Sequence, residues 1–224
     1  MYNTALRHLF LCTNGYIKSW VCSPFRMSLT MSTTNMNPSN EKQSTSLRAD
    51  EGTRGATSLE EAKQKYEFFW KSHSPFSQWY PASFEVNGQK YNCAEQYMMY
   101  QKAVLFGDEE IAAEVLKAED PKQQKSLGRK VKNWDDKTWN KNCHRIVEEA
   151  NEAKFGQNEH LKKQLLATYP KTLVEASPVD TIWGIGYAED HINAWDERSW
   201  RGTNYLGYAL TRVREKLMKQ NGLK

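Results

Sequence analysis

The chain has 224 residues, 39% hydrophobic and 26% charged, with a formal net charge of +4 and a mean hydropathy of −0.81. That length can bury a sizeable core, and the apolar runs break far short of the ~20 residues a membrane-spanning helix demands, so no membrane role is expected. The mild basic excess suits a phosphorylated ligand without requiring nucleic acid, and Cys12, Cys22, Cys93 and Cys143 lack both zinc spacing and the density of a disulfide framework, so they read as reduced, intracellular thiols.

Residues 1–57 differ from the rest. From Thr30 to Thr57 Ser, Thr, Asn and Gln dominate, and such a stretch buries too little apolar surface to offset its ordering entropy, which predicts a disordered tail. Ahead of it Arg7, Lys18 and Arg26 occur with no acid before Glu41, a weak targeting composition. A cytoplasmic location is expected, with a mitochondrial one through this acid-free segment as the alternative. Met27, Met31 and Met36 offer alternative starts.

A single domain is expected over 58–224, of α+β class and mainly helical with a small β component. Glu67–Trp70 reads as a strand followed by a turn-rich loop to Trp79. Ser83–Val86 and Gln89–Tyr91 flank Asn87-Gly88, the dipeptide suited to a type I′ hairpin turn. The next stretch, Asn92 to Lys102, is the one around which the chain is organised. A 3.6-residue period aligns Glu95, Met99 and Lys102 on one helix face, where an acid and an amine two turns apart can converge on something between them. Glu95 also has a purely structural alternative, because Asn92 followed three residues later by Glu95 has the form of a capping box.

Asp108 is expected to cap a helix to Ala118, and Asp120-Pro121 to open another running to about Lys132. The latter is crowded with Lys122, Lys125, Arg129, Lys130 and Lys132, of which Arg129 is the best placed to reach a phosphate. Asp135 or Asp136 begins a long amphipathic helix to Phe155 with Gly156 as its left-handed cap, and Asn158 opens one ended by Tyr169-Pro170. Thr172–Ala176 reads as a buried strand. It leads to Ser177–Gly186, where Gly184 permits close backbone approach and Asp180 and Trp183 are side chains a ligand site would use. His191–Arg201 reads as an irregular loop, and Tyr205–Lys219 as a final helix with Leu206, Leu210, Val213 and Leu217 as its core stripe.

Eight tryptophans and eleven tyrosines bring aromatic content to 12%, with Trp79, Trp134, Trp183, Trp195 and Trp200 in expected loops. Aromatics there can stack on a planar base, each worth ~1–3 kcal/mol. Joined to Glu95, Asp180, Lys102 and Arg129, they describe a pocket for a nucleotide-like ligand. The same groups could cleave an N-glycosidic bond. A carboxylate would stabilise positive charge on the ribose, and a lysine of lowered pKa could hold the opened sugar as an imine. The five histidines lack ligand spacing and no dinucleotide, P-loop or nucleophile-elbow motif occurs, so neither metal nor cofactor is expected.

The segments Ser74–Ser77, Ala94–Ala103, Leu127–Arg129, Asn133-Trp134, Leu173–Pro178, Ile182–Gly186, Trp200–Gly202 and Asn204–Gly207 together resemble the NADAR, or YbiA-like, N-glycosidase family over residues 66–220. The resemblance implies hydrolysis of the N-glycosidic bond between a ribose and a nitrogen base. The substrate would be either a phosphoribosylaminopyrimidine intermediate of riboflavin biosynthesis or ADP-ribosylated guanine in nucleic acid. By the same resemblance Glu95 is the catalytic carboxylate, Lys102 the imine-forming amine and Asp180 a further catalytic position. Ser77, Arg129, Trp134, Trp183, Gly184 and Asn204 would bind substrate, Arg129 and Asn204 holding phosphate or ribose. The family's usual Phe-Ser-Asn-Phe is here Phe76-Ser77-Gln78-Trp79, a departure that bears on substrate choice. The competing reading is a non-catalytic module that binds ADP-ribose or another nucleotide.

Overall fold

A computed structural model describes residues 60–223. The tail and targeting expectations for residues 1–57, the boundary at 58, and Cys12 and Cys22 lie outside the described residues. After a helical lead-in over 60–65, strand β1 (Tyr66–Phe69) pairs in parallel with β4 (Thr172–Glu175), Phe69 standing opposite Glu175. Parallel partners require a long crossover, and most of the domain is that crossover. Its first part is the antiparallel hairpin β2 (Phe84–Val86) and β3 (Gln89–Tyr91), where Asn87 and Gly88 take φ of 52° and 80° as the type I′ turn demands. Then come α1 (Ala94–Leu105), α2 (Glu109–Lys117), α3 (Pro121–Gly128), α4 (Asp136–Gln157) and α5 (Glu159–Ala167). After β4, two short 3-10 turns at Ile192–Trp195 and Glu197–Ser199 precede α6 (Tyr205–Gln220). The chain is thus α+β and mainly helical, as its periodicities predict.

The expected aspartate caps form. Asp108 accepts from Ile111 N at 3.2 Å, Asp120 from Gln123 N at 3.1 Å and Asp135 from Thr138 N at 2.7 Å. Other stretches differ from expectation. Helix α3 stops at Gly128 rather than Lys132, because Lys132 N is drawn off to Asp108 Oδ2 at 2.9 Å and Asn133 turns to φ 56°. Helix α4 runs through Gly156, and the Asn158 amide instead satisfies its end by donating to Lys154 O at 2.8 Å. The loop after His191 is organised by side-chain caps, His191 Nδ1 accepting from Asn193 N and Asp196 from Arg198 N.

The main core gathers α1 with the helices around it and the β2–β3 hairpin, and Leu206, Leu210, Val213 and Leu217 of α6 join it as the stripe predicted. The edge of β4 that faces α6 is closed by side chains instead of a third strand. Leu173 N donates to Thr211 Oγ1 at 3.1 Å, Glu175 N donates to Asn204 Oδ1 at 3.0 Å, and Asn204 Nδ2 donates to Leu173 O at 3.0 Å. Helix and strand approach so closely that a Cβ on Gly207 would stand 2.2 Å from Leu173 O, so this position requires glycine. A smaller apolar cluster of Tyr66, Val174, Ile185, Tyr187 and Ala194 lies on the other face, with Phe68, Trp195 and Trp200 packed against it. Among the described residues no helix is long and apolar enough to cross a membrane.

Candidate functional site

Helix α1 begins one residue later than the capping-box pattern suggests, with Cys93 as N-cap, and that shift decides what Glu95 does. The return bond of the box comes from Gln96, whose Oε1 accepts from Asn92 N at 2.8 Å while its Nε2 bonds the carbonyls at the end of α2. Glutamine serves this role as well as glutamate, so the Glu95 carboxylate is released from closing its own helix. Instead it lies buried, 5% exposed, and accepts a hydrogen bond from the Trp79 indole. Its backbone N–H donates to Gln78 O at 3.0 Å, which joins the 74–79 loop to the start of α1.

Burial is the main reason the Glu95 carboxyl is pushed up to about 7. The charges of Lys125 and Lys102 and the Trp79 bond act the other way, while Asp180 adds to the rise. Lys102, half-buried two turns further along the same helix face, is lowered by desolvation against the opposing pull of Glu95 and with help from Arg129. Its Nζ sits 4.1 Å from the centre of the Trp134 ring and 5.6 Å from that of Trp139, and the Phe106 ring centre lies 5.1 Å from that of Trp134 with the two planes tilted by 48°. The aromatic faces favour the ammonium form, whereas desolvation gives this amine a larger uncharged fraction than an exposed lysine, which is the state a nucleophile needs.

The approach of α3 supplies the next charge. A Cβ on Gly128 would fall 2.0 Å from Met99 Sδ, so the glycine lets α3 lie directly against the buried centre of the Glu95–Lys102 face. One turn earlier on the same face is Lys125, whose charge acts on Glu95 and on Glu175 and whose Nζ is 5.8 Å from the Trp79 ring centre. Arg129, one residue past that contact, is exposed and acts on Lys102. Lys125, rather than Arg129, is therefore the member of the basic run that neighbours the acids. Glu175, at the end of β4, was not among the sequence-predicted site residues. Its carboxyl is pushed up to about 8, first by burial, then by Asp180, with Lys125 opposing and Glu95 adding a little, and its Oε2 is buried with no hydrogen-bond partner among the described residues. The signal available was a lone carboxylate in an otherwise apolar buried strand, Leu173-Val174-Glu175-Ala176.

The structure thus brings Glu95, Lys102, Asp180, Arg129 and Trp134 into one neighbourhood and adds Glu175, Lys125 and Trp79. The remaining predicted residues have other local tasks. Asp180 Oδ1 accepts from Ile182 N at 2.9 Å and Trp183 N at 2.8 Å, so it shapes the turn while its charge acts on both glutamates. Trp183 is half-buried against the main core, near His144 and Tyr205. Gly184 is needed for backbone packing, since a Cβ would meet Glu175 O at 2.8 Å and Asp180 O at 3.0 Å. Ser77 Oγ accepts from Trp79 N at 3.2 Å and so fixes the loop that carries Trp79. Asn204 corrects the expectation most clearly, for it is fully buried and its amide is committed to β4, so it positions Glu175 instead of gripping phosphate or ribose. Gln78, the departure from the family's Asn, turns its amide to Asn151 Nδ2 at 2.9 Å on α4. Trp195 and Trp200 donate to Glu189 O and Ala194 O and act as loop anchors. The described residues contain no group of three or more His, Cys, Asp or Glu side chains able to hold a metal ion.

Several known proteins are similar to this chain over most of the described domain. Protein irg-1 of Caenorhabditis elegans is 37% identical over 181 residues, covering 74% of this chain and 85% of that protein. N-glycosidase R617 of Acanthamoeba polyphaga mimivirus is 44% identical over 145 residues, covering 62% and 85%. The N-glycosidase YbiA of Escherichia coli is 31% identical over 144 residues, covering 64% and 79%. The NMR structure of E. coli YbiA superimposes with a TM-score of 0.60 at 27% identity, over 72% of this chain and 89% of that one. The family model described as the NADAR domain matches residues 68–218, a span that takes in the second half of β1, the acids of α1 and β4, and most of α6. By that match and by its relatives, the chain belongs to the NADAR domain family.

Proposed function

We propose that this protein is an N-glycosidase that hydrolyses the bond between a ribose and a nitrogen base. The observation that carries the proposal is Glu95, a buried carboxyl freed from helix capping, held by Trp79 and titrating near neutrality within reach of the Lys102 charge. A pure binding module has little use for an acid poised near pH 7 beside an amine. The names of the relatives support the same class of reaction, as two of them are called N-glycosidases.

In this reading the ionised Glu95 faces the ribose as positive charge develops at C1, and accepts a proton from the attacking water. A second route uses Lys102. Once the sugar ring opens, the uncharged amine attacks C1 of the N-ribosyl imine, the base departs as its amine, and water then releases the aldehyde and restores the lysine. Trp134 and Trp79 provide faces for the base, and Lys125 with Arg129 provides positive charge for phosphate. Two substrate classes fit these groups, a phosphoribosylaminopyrimidine and ADP-ribosylated guanine in nucleic acid. The first gains support from the riboflavin biosynthesis protein VVA0006 of Vibrio vulnificus, which is 33% identical over 149 residues, although the match covers only 37% of that protein.

The test is to incubate the purified protein with each substrate class and follow release of the free base and sugar. Turnover of the pyrimidine alone selects the small-substrate reading, and release of ADP-ribose from modified DNA alone selects the other. Tight binding of ADP-ribose without turnover of either would replace the hydrolase by a binding module.

A further inference from the structure

We propose that Glu175 is a second catalytic acid of the site, the group that donates a proton to the departing nitrogen while Glu95 works as the carboxylate. This inference rests on the N-glycosidase reading and adds a residue that reading does not require.

Several features of the strand end point to it. Glu175 stands at the C-terminal end of β4, where its backbone is fixed on both sides. Its N–H is held by Asn204 Oδ1, and its carbonyl accepts from Ser177 N at 2.9 Å and Ile185 N at 3.0 Å. The side chain ends with its Oε2 buried and without a hydrogen-bond partner among the described residues. Leaving a buried polar atom unpaired costs about 1–3 kcal/mol, and native structures keep such atoms rarely and often at functional sites. The titratable groups that act on it are Asp180 in the following loop, Lys125 on α3 and Glu95 on α1. Three carboxyls and one shared lysine cannot all be ionised cheaply in a dry setting, so a proton must be retained. Burial pushes up both carboxyls, but their settings differ: Glu95 has the charges of Lys125 and Lys102 to favour its ionised form, whereas Glu175 has Asp180 as its foremost charged neighbour and an unpartnered Oε2, so Glu175 is the one placed to keep the proton. Environments that push two acids apart in this way assign their roles.

The step balances. As the C1–N bond breaks, its electron pair goes to nitrogen, which takes the Glu175 proton. Water bonds to C1 and yields its proton to Glu95, and exchange with solvent returns the pair to its starting state. In the imine route the same proton serves the amine that leaves.

The decisive variant is Glu175→Gln, which keeps the shape and the backbone clamps but cannot donate a carboxylic proton. In wild type, activity should fall at high pH as Glu175 ionises. Glu175→Gln should remain folded, lose roughly 10²-fold in kcat and lose that alkaline limb, and Glu175→Asp should restore part of both. Infrared difference spectra read the proton without reference to activity, and the part of the protonated-carboxyl band that persists above pH 7 should vanish in Glu175→Gln. A folded Glu175→Gln with unchanged rate, or with a lower rate but the wild-type alkaline limb, overturns the assignment. So does a carboxylic band above pH 7 that survives in Glu175→Gln and disappears only in Glu95→Gln. A wild type that turns over neither substrate class removes the hydrolase reading and this assignment with it, whereas turnover with an indifferent Glu175→Gln removes Glu175 alone.

Discussion

Asn204 offers the sharpest separation of a positioning role from a binding one, and Asn204→Ala is the perturbation. The truncation leaves Glu175 N–H and Leu173 C=O without their partners at a position with no solvent exposure. Each unpaired buried backbone group costs about 1–3 kcal/mol. Asn204 also holds φ 50°, a left-handed conformation that Asn tolerates and Ala resists by about 1–2 kcal/mol. Allowing for relaxation, the loss should be ~3–6 kcal/mol, a large share of the ~5–15 kcal/mol that holds a typical domain together. Urea denaturation of the ligand-free protein measures it directly. Asn204→Asp is the companion variant, since it keeps the acceptor for Glu175 N–H but sets a carboxylate against Leu173 O, and it too should be clearly destabilised. A loss below ~1 kcal/mol in ligand-free Asn204→Ala, with substrate affinity abolished, would refute the clamp and restore Asn204 as a ligand-binding residue.

Three further outcomes are expected. Trp79→Phe removes a hydrogen bond that favours the ionised form of Glu95, so the acidic limb of the kcat/KM profile should move to higher pH, and an unmoved limb would disconnect Trp79 from Glu95. Lys154 is fully buried, donates to Pro75 O at 2.7 Å and Ser77 O at 2.8 Å, and is lowered to about 7 chiefly by burial. Because the folded chain binds this proton less tightly than the unfolded one, wild type should gain stability over Lys154→Met as pH rises from about 7 toward 10.5, and a pH-independent difference in denaturation midpoint would contradict this. Borohydride added during turnover should leave a substrate-derived adduct on Lys102 detectable by mass spectrometry. No adduct, together with an active Lys102→Ala, would leave direct water attack as the route.

Much of the fold is legible in the chain because its signals are local. Asp108, Asp120 and Asp135 mark helix starts, Asn87-Gly88 marks the hairpin, and the α6 stripe follows its period. The capping box misled by one residue because Glu95 and Gln96 are both able partners, and only the tertiary bonds of Gln96 to the end of α2 decide between them. Glu95, Lys102 and Asp180 could be proposed from spacing and resemblance. Lys125 could not, and Glu175 was marked only by being a lone carboxylate in an apolar strand, since what distinguishes both is neighbourhood. Glu175 becomes unusual once β4 is buried beneath Asn204, and Lys125 once Gly128 admits α3 to Met99. Asn204 was misjudged for the same reason, as an amide in a ligand loop and one bridging a strand edge look identical in sequence.

The most direct test of the central claim is the pH–rate profile of wild type and Glu95→Gln on whichever ribosylated base the protein cleaves. A buried carboxyl at about 7 that must be ionised predicts an acidic limb near neutrality in wild type, and the variant should be slower by roughly 10²-fold or more. A folded Glu95→Gln that keeps near-full activity, or a wild-type profile flat from pH 5 to pH 8, would contradict the account.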